Sequence, residues 1–160
     1  RDLHGVMIRV FVRYHMALVL EDQGKILGVA LLNRRPPGLL EYLRYCRPLL
    51  GYMRFDRLVR FFSFTEAADS VVRKASDFQW FLTVIAVDPE FQHRGIGRLF
   101  LERGIEGYIR SHGGGCLAFI TCTPRNAHFY SSAGYRIVGE HSVSLDGNDV
   151  PVWSFEKVIE

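Results

Sequence analysis

Apolar runs separated by short polar turns dominate the chain and predict a sheet. Runs of this length, closed by Gly, Pro, Asn or Asp, are typical of strands. The polar residues 21–24 and the turn at 146–148 each predict a hairpin between two neighbouring strands. The predicted strands cover residues 16–20, 26–32, 80–87, 116–122, 135–143 and 150–158.

Apolar residues at three- and four-residue steps predict helices between these strands. Residues 39–76 read as a helical block that Pro48 breaks or restarts. A helix beginning near Ile96 should connect two parallel strands, 80–87 and 116–122, and glycines within it should weaken it. We therefore predict a single α/β domain over residues 1–160. The remaining predicted helices cover residues 3–14 and 124–132, the latter closed by Ala133-Gly134.

Composition narrows the function classes only slightly. Of the 160 residues, 48% are hydrophobic and 23% are charged, which is ordinary for a globular protein. The net charge of +3 does not by itself indicate a nucleic acid or a membrane as partner. We expect no transmembrane helix, because no apolar run reaches about 18 residues, and no signal peptide is visible.

Cysteine and histidine spacing indicates neither a disulfide framework nor a metal site. The three cysteines, Cys46, Cys116 and Cys122, match no zinc spacing, and reduced, buried thiols in a cytoplasmic protein are the simplest interpretation. Cys116 and Cys122 share one face of a strand but lie too far apart to bridge. The histidines lack the H-E-x-x-H spacing, so we expect no bound metal.

The loop Gln92-His93-Arg94-Gly95-Ile96-Gly97-Arg98 carries the clearest chemical signal. It lies between a predicted strand and a predicted helix, and its glycines allow a tight turn with exposed amides. The first turn of the helix adds unpaired N–H groups, so the whole segment can bind a phosphate, with Arg94 and Arg98 as flanking cations. The alternative is an ordinary strand-to-helix turn. The dinucleotide-binding pattern fails, because Phe100 stands where its third glycine belongs.

This Q-x-x-G-x-G loop after a strand ending in Val-Asp-Pro resembles the acetyl-CoA pyrophosphate loop of the GNAT N-acetyltransferase superfamily. A second pattern supports the resemblance: Asn126, the pair Phe129-Tyr130, and Gly134-Tyr135 recur in that superfamily in this order. Within the superfamily, the chain looks most like the puromycin N-acetyltransferase type. The features that carry this likeness are Trp80-Phe81-Leu82, Gln92 to Gly97, Pro124-Arg125-Asn126, Phe129-Tyr130 and Trp153.

The resemblance implies the fold and the reaction. It implies a mixed, mostly antiparallel sheet with helices on both faces, in which a central parallel pair splays apart around acetyl-CoA. The pantetheine arm would pair with main chain near Ile85 and Val87 and contact Asn126. The alternative for Asn126 is a helix N-cap. Tyr130 occupies the position of the general acid that protonates the leaving thiolate, and its alternative is a core aromatic with a bonded hydroxyl.

The chain departs from the family in several places. Ile120 stands where many relatives carry a carboxylate, so the general base is unassigned; Asp77, Glu66 and His128 are candidates, and a water chain is the alternative. The family's first strand and first helix should precede the hairpin, yet little sequence precedes residue 16, and we expect both to be missing.

Three functions are compatible with these observations. The first is transfer of an acetyl group from acetyl-CoA to a primary amine of a small, unidentified acceptor. The second is a CoA-binding regulatory domain without turnover. The third is RNA binding by the arginine- and tyrosine-rich residues 42–60, for which a packed helix pair is the simpler interpretation. We therefore expect no nucleic acid as partner, and the sequence leaves the oligomeric state open, with a homodimer as one option.

Overall fold

A computed structural model describes residues 16–34, 55–145 and 147–160. The predicted helix at 3–14, the first part of the block at 39–76 and Cys46 lie outside the described residues. Most of the basic and aromatic residues between 42 and 60 lie outside them too.

Six strands form one mixed sheet in the spatial order β1-β2-β3-β4-β6-β5. Strands β3 and β4 run parallel, and every other neighbouring pair is antiparallel. The six predicted strands are confirmed: one has the expected bounds, one is shifted by a residue, and four are one to three residues longer than expected. The strands are β1 (Met16–Asp22), β2 (Lys25–Asn33), β3 (Trp80–Val87), β4 (Gly115–Thr121), β5 (Arg136–Leu145) and β6 (Asn148–Ile159).

Among the described residues, three longer helical regions and a short 3-10 helix (Pro89–Phe91) connect the strands. Helix α1 (Phe55–Ala75) leads into β3 and occupies the second half of the predicted helical block. Helix α2 connects β3 to β4 as predicted, and α3 (Pro124–Ser132) follows β4. Helix α2 consists of three consecutive parts, an α-helical turn Ile96–Leu99, a π-helical segment Phe100–Ile105 and an α-helical end Glu106–Ser111.

The helices cover both faces of the sheet, because alternate strand residues point to opposite sides. On one face, α2 and α3 pack on the larger apolar cluster, which includes Trp80 and Phe119. On the other face, α1 packs through Ala68 and Val72, both fully buried. Each strand of the central pair therefore contributes apolar side chains to two separate cores.

A close contact within α2 explains why one of its positions is occupied by glycine. The ring of Phe100, which is 2% exposed, packs over Gly104. A Cβ built at Gly104 would lie 2.6 Å from Phe100 Cδ2, whereas one at Gly107 would meet nothing within 4 Å. Gly104 thus makes room for a core aromatic, and Gly107 has no such packing role.

Gly104→Ala should destabilise the protein, since the buried Phe100 ring has to move; overpacking of this kind costs about 1–3 kcal/mol. Gly107→Ala is the matched control on the same helix, and it should raise stability by up to about 1 kcal/mol through helix propensity. Urea denaturation followed by circular dichroism measures both free energies of unfolding. Equal effects of the two substitutions would contradict the packing explanation.

Candidate active site

A cleft opens where the parallel strands β3 and β4 separate. Their pairing is limited to two positions, Trp80 with Leu117 and Phe81 with Ala118. Beyond Phe81, β3 stays paired with β2 only, and the register of that pairing shifts so that Thr83 has no partner opposite it. The predicted splay is therefore confirmed, and the edge of β3 that faces β4 is open.

The main part of the cleft has a volume of about 670 Å³. It brings together most of the residues to which the sequence analysis gave a binding or catalytic role, and it adds Ala86, Arg125 and Phe129. Arg94 and Ile96 belong to the same loop but do not line the cleft. The lining residues are Ile85, Ala86, Val87, Gln92, His93, Gly95, Gly97, Arg98, Arg125, Asn126, Phe129 and Tyr130.

The backbone of the loop between β3 and α2 turns sharply in two places. His93 has φ 62° and Gly95 has φ 78°, so both adopt the left-handed conformation that glycine tolerates best. The Gln92 side chain fastens the loop to β3 by donating from Nε2 to the Val87 carbonyl at 3.0 Å. The first helical hydrogen bond of α2 is donated by Leu99 to Gly95 O, which leaves the preceding amides of that turn without a helical acceptor.

The arginines of this region differ in their partners. The Arg98 side chain lines the cleft but pairs with Glu102 at 2.7 Å. The Arg94 guanidinium lies over the Phe91 ring, 5.7 Å from its centroid. The terminal nitrogen Nη2 of Arg125 lies 3.2 Å from both ring nitrogens of His93, across 32 positions of sequence.

Tyr130 is held by aromatic neighbours at the inner end of the cleft. Its ring centroid lies 4.4 Å from that of Phe119 and 5.1 Å from that of Phe129. Burial raises the pKa of the Tyr130 phenol to about 12, and no hydrogen bond to another of the described residues contributes to the shift. The phenol is therefore protonated over the whole neutral range.

Asn126 does not cap its helix. Thr123 is the N-cap of α3, and its hydroxyl accepts a hydrogen bond from the Asn126 amide at 3.4 Å. The exposed Asn126 side chain lines the cleft instead. The structure thus assigns the capping role to Thr123, a residue that the sequence did not single out.

A second, smaller part of the cleft continues from Tyr130 into the gap between β3 and β4. Its volume is about 240 Å³, and Thr83, Ile120 and Thr121 contribute to its lining. Asn33 donates from Nδ2 to Thr83 Oγ1 at 2.9 Å. Its other polar atom, Oδ1, is buried and accepts no hydrogen bond from the described residues. None of the described residues that line this end is charged, and its polar groups come from Thr83, Thr121, Asn126 and Tyr130.

The three candidate bases do not line either part of the cleft. Asp77, Glu66 and His128 are exposed, and Glu66 contacts Arg73 at 3.5 Å. Ile120 does line the inner part, so the position at which the resemblance implies a carboxylate lies inside the cleft.

A buried carboxyl on α1 was missed by sequence reasoning. Asp69 is 2% exposed, and its Oδ2 lies 3.7 Å from Arg73 Nη2. Burial raises the pKa of Asp69 from 3.8 to about 6, in spite of the attraction to Arg73. The spacing of apolar residues predicts a helix here but does not mark this carboxyl as buried, because its burial depends on how the helix packs on the sheet.

The two described cysteines are free thiols, partly buried rather than fully buried as expected. Burial raises the pKa of both the Cys116 and the Cys122 thiol, and the charge of Asp69 adds to the effect at Cys122. Both side chains are therefore protonated and weakly nucleophilic at neutral pH.

Among the side chains that the structure describes, no group of three or more histidine, cysteine, aspartate or glutamate residues could hold a metal ion. Within residues 16–34, 55–145 and 147–160, no helix combines the length and the apolar character needed to cross a bilayer.

Comparisons with known proteins identify the family. The sequence profile of the acetyltransferase (GNAT) domain matches residues 49–137, which is more than half of the chain.

Solved structures of acetyltransferases have a similar fold. A mosquito arylalkylamine N-acetyltransferase-like protein, 14% identical, superposes with a TM-score of 0.65 over 99% of this chain and 82% of its own. The ribosomal-protein-S18-alanine N-acetyltransferase from Escherichia coli, 15% identical, gives 0.58 over 98% and 76%. The polyamine N-acetyltransferase of Drosophila melanogaster, 16% identical, gives 0.58 over 88% and 73%. At these identities the likeness shows a shared fold.

Asp69→Asn should stabilise the protein at about pH 8 and leave its stability nearly unchanged near pH 4. The native state binds the Asp69 proton more tightly than the unfolded state does, so the free energy of unfolding falls as pH rises from about 4 to about 6. Above about pH 6, a pKa shift of this size lowers the free energy of unfolding of the wild-type protein by about 3 kcal/mol.

Thermal melts at the two pH values measure the difference. Glu66→Gln is the matched control, since Glu66 is an exposed carboxyl on the same helix that also contacts Arg73. Its effect should be small and similar at both pH values. A melting temperature of Asp69→Asn that exceeds wild type equally at both pH values would contradict the assignment.

Proposed function

The chain belongs to the acetyltransferase (GNAT) family, and we propose that it transfers an acetyl group from acetyl-CoA to a primary amine by direct attack in a ternary complex. The observation that carries this proposal is the arrangement of the cleft: one continuous opening runs from the loop at 92–98 to Tyr130. The loop offers exposed amides for a phosphate, and Tyr130 lies at the point where the parallel strands have separated.

The open edge of β3 supports the placement of the pantetheine arm. Residues of β3 after Phe81 have no β4 partner, so backbone donors and acceptors on that edge are available to a ligand. Ile85 and Val87 line the cleft on this stretch, and Asn126 lies among the lining residues. An extended arm with two amides can add to such an edge as a short extra strand. This arm would then direct the thioester toward Tyr130.

The proposed chemistry uses few protein groups. The neutral amine forms a bond to the thioester carbonyl carbon, and the carbon–sulfur bond breaks when the intermediate collapses. A main-chain N–H of the open β3 edge stabilises the negative charge on the carbonyl oxygen. The leaving thiolate takes the proton of the Tyr130 phenol, which burial keeps protonated by raising its pKa to about 12. The phenolate then regains a proton from solvent.

Deprotonation of the amine is assigned to water. No carboxylate in the described part of the chain lines either section of the cleft. The polar groups at the inner end are neutral, and a chain of water molecules along Thr83 and Thr121 can carry the proton to solvent. The same lack of a carboxylate favours the alternative of a CoA-binding domain without turnover.

The acceptor is proposed to be a small molecule. The fold neighbours include proteins named for the acetylation of polyamines and of arylalkylamines, and both of these are classes of small amine. The likeness to the puromycin N-acetyltransferase type points the same way, but Trp80 is also fully buried and donates from Nε1 to Gly114 O at 2.9 Å, so packing accounts for it equally well. Cytoplasmic location, homodimer formation and a single domain over residues 1–160 stay predictions.

Acetyl-CoA and CoA should each raise the melting temperature. A ligand at about a hundred times its dissociation constant adds about 2.7 kcal/mol of stability. Differential scanning fluorimetry with increasing ligand measures the shift, and adenosine at equal concentrations is the control. The absence of a shift with either CoA species would contradict the proposed function.

Tyr130→Phe should reduce turnover by about a hundredfold or more, the usual contribution of a positioned general acid, with little change in CoA affinity. Release of free CoA from acetyl-CoA in the presence of a panel of primary amines measures the rate. Tyr108→Phe removes a phenol outside the lining of the cleft and should leave the rate unchanged.

Two outcomes of this assay are decisive. An unchanged rate in Tyr130→Phe would remove its role as acid. The absence of CoA release with every amine, although CoA binds, would favour the domain without turnover.

A further inference from the structure

Arg125 and His93 join two elements that flank the cleft. His93 belongs to the loop after β3, and Arg125 lies in the first turn of α3. Both line the main part of the cleft, and Nη2 of Arg125 lies 3.2 Å from His93 Nδ1 and 3.2 Å from its Nε2. The contact therefore places a guanidinium beside the loop whose amides before Leu99 make no helical hydrogen bond.

This contact leaves most of the hydrogen-bonding capacity of Arg125 unused. The two ring nitrogens of an imidazole direct their lone pairs or N–H groups apart, so one guanidinium nitrogen at equal distance cannot align with both. A guanidinium has five N–H donors, and this arrangement engages one nitrogen. In the part of the chain that the structure describes, no carboxylate lies within ion-pair distance of Arg125.

The other arginine of the lining already has a carboxylate partner. Arg98 donates from Nε to Glu102 at 2.7 Å. Arg94 lies over Phe91 and does not line the cleft. Arg125 is consequently the lining arginine whose charge has no carboxylate opposite it among the described residues, and a guanidinium in this state fits the paired oxygens of a phosphate.

We propose that Arg125 is a phosphate-binding residue of this cleft, positioned by His93, and that it binds a phosphate of the nucleotide portion of CoA. The inference rests on the proposed function, because it takes CoA as the ligand. The loop amides and Arg125 then hold the anionic end from two elements. The shared chemistry is a phosphate oxygen, which comes either from the diphosphate or from the ribose 3′-phosphate.

His93 acts through Arg125 in this proposal. The backbone at His93 has φ 62°, a conformation that asparagine also tolerates well. His93→Asn therefore keeps the turn while removing the ring that Arg125 contacts. Without that neighbour, the guanidinium becomes ordered only when the ligand binds. The entropy cost of this ordering lowers the affinity for the ligand.

Isothermal titration of CoA, 3′-dephospho-CoA and pantetheine into the full chain tests the proposal. Arg125→Gln should weaken CoA binding by about tenfold or more, the effect of one charge-assisted hydrogen bond, and should make it less dependent on salt. Pantetheine binding should be unchanged. Arg103→Gln, which removes an exposed arginine outside the lining, is the matched control and should change none of these affinities.

The outcomes separate the sources of the phosphate. A loss confined to CoA assigns Arg125 to the 3′-phosphate, and a loss for both nucleotides assigns it to the diphosphate. Wild-type affinity of Arg125→Gln for both would overturn the proposal. If wild type itself binds no CoA, the proposed function fails instead. Two controls exclude unfolding as the cause of any loss. The first is the melting temperature of each variant without ligand, and the second is Arg125→Lys, which keeps the charge.

A double-mutant cycle tests the role of His93. His93→Asn should weaken CoA binding when Arg125 is present and have no further effect in the Arg125→Gln background. Pantetheine affinity should be unchanged in both backgrounds. Equal losses in both backgrounds, or a loss of pantetheine binding, would overturn the positioning role.

Discussion

The short pairing between β3 and β4 is the constraint on which the site depends. Two residue pairs hold the strands together, and the pairing ends after Phe81 and Ala118. A longer ladder would satisfy the backbone groups of β3 and close the gap in which both parts of the cleft lie. The open edge is tolerated because β2 pairs along the other side of β3 and the cores on both faces hold the two strands in position.

The core under α2 and α3 holds the site in place. Tyr130 packs on Phe119, whose ring in turn lies 5.0 Å from Tyr135 and 5.6 Å from Phe155. Glu106 on α2 is 4% exposed and accepts hydrogen bonds from the Tyr135 hydroxyl at 2.9 Å and from Lys157 Nζ at 2.8 Å. Burial and the Glu106 carboxylate raise the pKa of Tyr135, which keeps that hydroxyl a donor. These contacts fix the phenol of Tyr130 relative to the loop.

Local patterns were sufficient to predict the sheet and the loop, and the resemblance to the GNAT superfamily supplied the other predicted residues of the lining. Gly95 and Gln92 lie within a few residues of the strand and the helix that their loop connects, so a short stretch of sequence is enough to predict their role. The features that sequence reasoning missed depend on partners far away in the chain. Asn33 meets Thr83 across 50 positions, and the unpaired position of Thr83 follows from strand register rather than from composition.

The cap of α3 shows a different limit of sequence reasoning. Asn126 and Thr123 are both good capping residues, and either choice gives a sensible helix start. The structure selects Thr123 because the helix begins at Pro124, whose fixed φ suits the first helical position. This choice frees the Asn126 side chain for the cleft, so the start of one helix decides whether a polar group supports the fold or faces a ligand.

The charges of the cleft differ from end to end, and this difference favours one orientation of a ligand. Exposed amides and Arg125 make the loop end positive, whereas Thr83, Thr121 and a protonated Tyr130 leave the inner end neutral. A ligand with phosphates at one end and an uncharged thioester at the other gains electrostatic energy in one direction only. In the proposed reaction, a neutral inner end also means that no carboxylate of the described residues holds the acceptor amine there as an ammonium ion. Under the proposed function, Ile120 stands where the resemblance implies a carboxylate, and its neutral side chain favours a neutral nucleophile over a retained cation.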